Sequence, residues 1–198
     1  MIRAGTIAEI EWNHGCWIIL DIGFSNNTRT CGLVINDSTP RNLRFYEALA
    51  EVKTAALDNA VLNLVIEAPL SVAFDGFGNP KARRIEKRSS FTRYWYVGPG
   101  CVVMVAAMYF LAEIARLSSE NEIRLFEGFV SFKDKHSKSQ HVDDVTLLRD
   151  AIRHPSVFKG AFIAPNSLKL DEDDVIWGAF EVAHLDFGIP PVIMRDIS

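Results

Sequence analysis

Cys16-Trp17-Ile18-Ile19-Leu20-Asp21 is an unbroken apolar run that ends in a carboxylate, and Leu62-Asn63-Leu64-Val65-Ile66-Glu67 repeats that layout further along the chain. A continuous apolar run of this length, without alternation, is the pattern of a strand covered on both faces. Gly23-Phe24-Ser25-Asn26-Asn27-Thr28 supplies turn chemistry after the first run, and Thr30 to Ile35 reads as a second strand, so the two predict an antiparallel hairpin. Ala68-Pro69 stops the other run. If the two buried strands are parallel neighbours, Asp21 and Glu67 stand side by side beyond their carboxyl ends, where ligands gather in α/β sheets.

Working outward, Ser38-Thr39-Pro40 reads as a helix start, and the stretch Leu43 to Leu57 has helical spacing through Phe45, Leu49, Val52 and Ala56. No strand is read between Ile35 and that helix. A long Gly- and Lys/Arg-rich connection runs from Phe74 to Gly100. Cys101 to Leu117 is a nearly all-apolar helix, Ile123 to Phe132 a strand, and Gln140 to Ile152 an amphipathic helix with Val142, Val145, Leu148, Ala151 and Ile152 inward. From Phe162 onward an acidic run, Asp171 to Asp174, and the pair Pro190-Pro191 suggest a peripheral strand pair or arm. Hairpin, helix, strand, helix, strand, helix indicates a mixed α/β sheet with helical crossovers. The 198 residues fit one domain over 1–198, with a core over about 16–153 and a C-terminal arm over about 160–198.

Composition narrows the functional classes. A net charge of −4 gives no whole-protein attraction to nucleic acid or to an anionic membrane, so any such attraction must be local. Three widely spaced cysteines, Cys16, Cys31 and Cys101, with no CxxC pair, argue against a disulfide framework or a zinc knuckle and predict buried free thiols. Met1-Ile2-Arg3-Ala4-Gly5 lacks the layout of a signal peptide, and the apolar run Cys101 to Ala112 is too short to span a bilayer. The expected location is cytoplasmic, with no membrane partner.

The chemistry-bearing constellation joins the two strand ends to His141-Val142-Asp143-Asp144. Two adjacent carboxylates repel unless a cation or a proton lies between them. His141 and Asp144 are three apart and share a helical face. Mostly oxygen ligands favour magnesium or manganese over zinc, and three carboxylates with one histidine suffice for a two-metal site of the kind that drives phosphoryl displacement. Each acid also has a plainer reading, as a turn ligand or as a complement to a helix N-terminus. Asp143 and Asp144 compete for one role, and the His-x-x-Asp spacing favours Asp144.

Leu20-Asp21-Ile22-Gly23-Phe24-Ser25, Val65-Ile66-Glu67-Ala68-Pro69-Leu70-Ser71 and His141-Val142-Asp143-Asp144-Val145, in that order, resemble the ribonuclease H-like superfamily. The last segment is similar to the His-x-x-Asp element of RuvC-type Holliday-junction resolvases. The three together resemble the predicted-nuclease family called domain of unknown function 429, with Leu125-Phe126-Glu127-Gly128-Phe129 matching its penultimate strand. The resemblance covers roughly residues 16 to 153. It implies an α/β fold with a ribonuclease H-like mixed five-stranded sheet flanked by helices. It also implies metal-binding roles for Asp21, Glu67, His141 and Asp144, the three acids being catalytic.

A second feature is Lys81-Ala82-Arg83-Arg84-Ile85-Glu86-Lys87-Arg88-Ser89-Ser90-Phe91-Thr92-Arg93-Tyr94-Trp95-Tyr96. Between 81 and 93 six basic residues face one acid, a local +5 in an otherwise acidic chain. Arg83, Arg84, Lys87, Arg88 and Arg93 beside Tyr94 and Trp95 suit a phosphate backbone with bases stacked on rings. The plainer reading is a solvated loop whose aromatics anchor it to the core.

The favoured expectation is a magnesium- or manganese-dependent nuclease or resolvase-like phosphodiesterase, a hydrolase whose partner is DNA or RNA; a homodimer stays open. Two alternatives remain. One is a catalytically inactive ribonuclease H-fold binding or scaffold protein. The other is an actin-like ATPase, because Leu20 to Ser25 also resembles the phosphate loop of that fold, although such proteins normally need two such domains. There is no Gly-x-x-x-x-Gly-Lys-Ser/Thr, His-Glu-x-x-His or Gly-x-Ser-x-Gly motif.

Overall fold

The apolar runs that end in Asp21 and Glu67 are neighbouring parallel strands in the middle of a mixed sheet. The computed structural model describes residues 1–23, 30–88, 91–92, 99–131 and 140–196. In chain order these form β1 (Ile2–Ala4), α1 (Ile7–Trp12), β2 (Cys16–Ile22), β3 (Cys31–Ile35), β4 (Arg41–Leu43), α2 (Phe45–Asp58), β5 (Val61–Glu67), β6 (Ser71–Phe74), β7 (Pro80–Lys81), β8 (Lys87–Arg88) and β9 (Phe91–Thr92). There follow α3 (Pro99–Ala115), β10 (Glu122–Ser131), α4 (His141–Arg153), β11 (Phe162–Ile163), β12 (Val175–Gly178) and β13 (Val192–Asp196).

The main sheet runs β11-β13-β10-β5-β2-β3-β4, with β1 also paired to β10. β2, β5, β10 and β13 are mutually parallel along that order, whereas β3 is antiparallel to both β2 and β4. Side-chain alternation then decides which layer each residue enters. Ile18 and Leu20 of β2, Leu62, Leu64 and Ile66 of β5 and Leu125 of β10 pack with α2 and α3 on one face. Trp17, Ile19, Val65, Phe126 and Val130 pack with Ile10 of α1 and with Val145, Leu148, Ala151 and Ile152 of α4 on the other. Both faces are covered, which is why β2 and β5 need no polar alternation. Among the described residues no helix is long and apolar enough to cross a membrane.

The structure departs from several of these expectations. Residues 41–43 form β4 rather than the first turn of a helix, and α2 begins at Phe45. The helical spacing was real, but the cap is Glu47, whose carboxylate accepts the Arg44 N–H at 2.9 Å. Ser38 instead closes the β3–β4 hairpin, its Oγ accepting from the Ile35 N–H at 3.2 Å. The expected C-terminal strand pair is present and joins the main sheet: β13 lies parallel against β10, and β11 pairs antiparallel with β13 at the sheet's edge. Pro191, which lacks an N–H, still accepts the Glu127 N–H at 3.0 Å and leads the chain into that slot. The connection after β5 also folds, since β6 and β7 join β12 in a separate three-stranded sheet. Finally, Cys16 and Cys31 are buried free thiols as expected, whereas Cys101 is exposed on α3.

Candidate metal centre

One row of the sheet carries the site. Gly32, Asp21, Glu67 and Gly128 are successive cross-strand partners on β3, β2, β5 and β10. Alternation turns all four toward α4, because the adjacent Leu33, Leu20 and Ile66, and Leu125 three residues before Gly128, face the opposite layer. Two carboxylates therefore stand between two residues that have no side chain.

The glycines are the seat of α4. A Cβ on Gly32 would run into the backbone of His141, and one on Gly128 would meet Leu148 Cδ1 at 2.7 Å. A Cβ on Gly23, at the end of the β2 run, would collide with the His141 ring. With those three positions bare, the first turn of α4 descends onto the strand ends, and Val145 and Leu148 are fully buried beneath it.

α4 starts at His141 because Asp143 caps it: Asp143 Oδ2 accepts the Gln140 N–H at 2.8 Å. Asp144 lies one residue further round the helix and turns down onto the sheet, 1% exposed. His141, one turn earlier on the same face, places Nδ1 2.6 Å from Asp21 Oδ2. Asp21, His141 and Asp144 each offer a ligand atom, and these atoms lie within 4.8 Å of one another. Glu67 stands next to Asp21 in register but outside that group, with Oε1 accepting the Val130 N–H at 3.1 Å.

Two carboxylates and one imidazole make a donor set that fits a hard or borderline divalent cation. Asp21 and Asp144 are both nearly excluded from water, so a cation between them offsets their mutual repulsion. Cys31, one residue before Gly32, is not a ligand candidate. Burial, reinforced by the Asp21 charge, pushes its thiol up to about 11, and its side chain packs in the α2–α3 layer.

The residues expected to grip nucleic acid are dispersed, and one of them, Arg83, meets Glu127 of β10. Glu127 lies on the face away from α4, where its carboxylate accepts from the Leu70 N–H and from Arg83 Nη1, each at 2.9 Å. Arg83, expected on a nucleic-acid surface, is 0% exposed and belongs to the core. Its guanidinium also binds Ser71 Oγ at 2.7 Å and Glu86 Oε1 at 3.1 Å, so no donor reaches a phosphate at the surface. Burial works against the Arg83 charge, but the carboxylates of Glu127 and Glu86 more than offset it. Arg84 and Lys87 are exposed, Arg84 Nε donating to Lys169 O at 2.9 Å. Arg93, Tyr94, Trp95 and the side chain of Arg88 lie outside the described residues.

The sequence analysis assigned no role to Gly32 and Gly128, and it did not pair Arg83 with Glu127. A signal for the glycines was present, since glycine inside a strand marks a close approach of another backbone. Comparison with protein-family models, curated proteins and solved structures finds no match for this chain.

Proposed function

We propose that this chain is a divalent-metal-dependent nuclease or resolvase-like phosphodiesterase of the ribonuclease H-like kind, acting on nucleic acid. The observation that carries the reading is the convergence of Asp21 with His141 and Asp144, the helix pair lying some 120 residues along the chain from it, at the carboxyl ends of the central parallel strands. A β4-β3-β2-β5-β10 core in which only β3 runs antiparallel, flanked by helices on both faces, supports the assignment. So does the register that sets Glu67 beside Asp21, where it can contribute to a second cation.

Asp21 and Asp144 are the anionic ligands, and His141 completes the group while its ring is held by Asp21. Magnesium or manganese bound there supplies Lewis acidity toward a phosphodiester and lowers the pKa of a coordinated water. Asp21 and His141 orient one another, the seat glycines set the depth of the helix, and Val145 with Leu148 excludes water from below. Exposed Arg84 and Lys87, on the connection that leaves the Glu67 strand, supply positive charge for a phosphate backbone.

The test is Asp21→Asn against wild type on one labelled substrate, read as single-turnover cleavage and as affinity, with magnesium and manganese binding measured by calorimetry. Cleavage should vanish, metal affinity should fall, and substrate affinity should hold or rise as negative charge leaves the site. Wild type that binds no divalent ion at millimolar concentration removes the metal-centre reading. Metal binding with no cleavage of any nucleic acid turns the reading to a binding or scaffold protein of the same fold.

A further inference from the structure

α3 (Pro99–Ala115) has two apolar faces, and the fold uses one. Ala107, Phe110, Leu111 and Ile114 are buried against the sheet. On the other side Val102, Val105 and Tyr109 are 49%, 54% and 46% exposed. With half-buried Ala112 they recur at intervals of three, four and three residues. A core-facing helix needs a single stripe, and one that is apolar on both sides is ordinarily covered on both. Spacing that alternates three and four is the seam by which one helix receives another. Phe45 of α2, its ring centroid 6.1 Å from that of Tyr109, flanks the patch at its edge, with Tyr46 beside it largely exposed.

The charges around the seam identify the occupant. From Gly100 to Ala112 the chain carries no charged residue. The first acid, Glu113, is already matched within the chain by Lys53 at 2.8 Å and by Arg116. A two-fold contact sets every residue near the axis against its own copy, so a charge there would meet the same charge. A helix face that carries no charge from Gly100 to Ala112 satisfies that condition. A membrane surface fits worse, because interfacial helices carry cations opposite their apolar face and the opposite face of α3 is core. We propose that the Val102–Val105–Tyr109 seam is a two-fold interface between copies of this chain, α3 packing on α3 of the second copy. It does not depend on the metal-centre reading.

Light scattering on the full chain after size exclusion tests this, with Val105→Glu, Val105→Lys and Tyr109→Arg as variants and circular dichroism as the check on folding. Wild type should run at twice the chain mass across the micromolar range. Each variant should fall to the monomer mass with an unchanged spectrum, since these side chains point to solvent in the single chain. Mixing equal amounts of Val105→Glu and Val105→Lys should restore the dimer, because opposite charges then meet across the seam. A monomeric wild type overturns the proposal, as does a folded Tyr109→Arg or Val105→Glu that still dimerises. Folded Glu and Lys variants that stay monomeric when mixed also overturn it and indicate a different partner for this face.

Discussion

Gly32 bears on the site as directly as any ligand does, through what it leaves out. Its missing Cβ is the space occupied by the His141 backbone, so Gly32→Ala must lift the first turn of α4 from the strand ends. Overpacking of this kind costs about 1–3 kcal/mol. Because His141 and Asp144 ride on that turn, the variant should also lose divalent-ion affinity. Melting and calorimetry on the same sample check this: lower stability with unchanged metal affinity would leave Gly32 a packing residue only. Asp143 and Asp144 should separate cleanly, although they are adjacent. Asp143→Ala removes the cap seen at the Gln140 N–H and should cost about 0.5–2 kcal/mol. Asp144→Asn should keep the fold and lose metal. A fall in metal binding confined to the Asp143 variant would reverse the two roles.

At the scale of elements, the connection after β5 is held by Arg83. It ties Ser71 at the start of β6, Glu86 in the following turn and Glu127 on β10 into one buried network. Removing one member of such a set leaves buried charge uncompensated, so Arg83→Met should cost about 3–5 kcal/mol in denaturant unfolding. It should leave the salt dependence of nucleic-acid affinity unchanged, because the side chain does not reach solvent. Arg84→Ala and Lys87→Ala should behave in the opposite way. Stability should hardly move, while the slope of log affinity against log salt becomes shallower by about 0.7 to 0.9 for each phosphate no longer neutralised. A variant of Arg83 that folds with full stability removes the anchoring role, and unchanged slopes in the other two remove the backbone-gripping one.

Across the whole molecule, the N-terminus is fastened by charge. Arg3 on β1 binds Glu9 of α1 and Glu122 of β10, and Arg124 binds both acids again. Arg3 holds the Glu9 carboxyl below the usual glutamate range, and Arg124 with Arg3 does the same for Glu122. A depressed folded-state pKa means stability that is present above the ordinary glutamate value and lost as pH falls through the lower, folded one. The melting temperature should therefore drop on acidification below about pH 4.5, the ordinary value. An Arg3→Met variant should begin lower and fall less steeply, because its glutamates titrate nearer their free values. Parallel curves for the two proteins would mean the pairs contribute nothing measurable, as exposed ion pairs often do.

The amino-acid sequence by itself determined the elements whose local signal and tertiary need agree. β2 and β5 are legible because burial on both faces demands an uninterrupted apolar run, and α4 because its inward stripe has helical period. Asp21, His141 and Asp144 were legible for a related reason: a carboxylate that ends a buried strand and a pair three apart on a helix are local patterns. Only the tertiary structure decided the rest. β4 and β11 are three and two residues long and take their backbone bonds from another strand, so their own residues carry too little strand pattern to fix their bounds. Arg83 looked like its exposed neighbours until Glu127, 44 residues away, gave it a buried partner. Asp143 and Asp144 differ by a rotation about the helix axis, and that rotation is set by the glycines beneath α4, on other strands of the sheet. Local sequence encodes what a segment prefers, whereas the surface each residue meets is contributed by segments far along the chain.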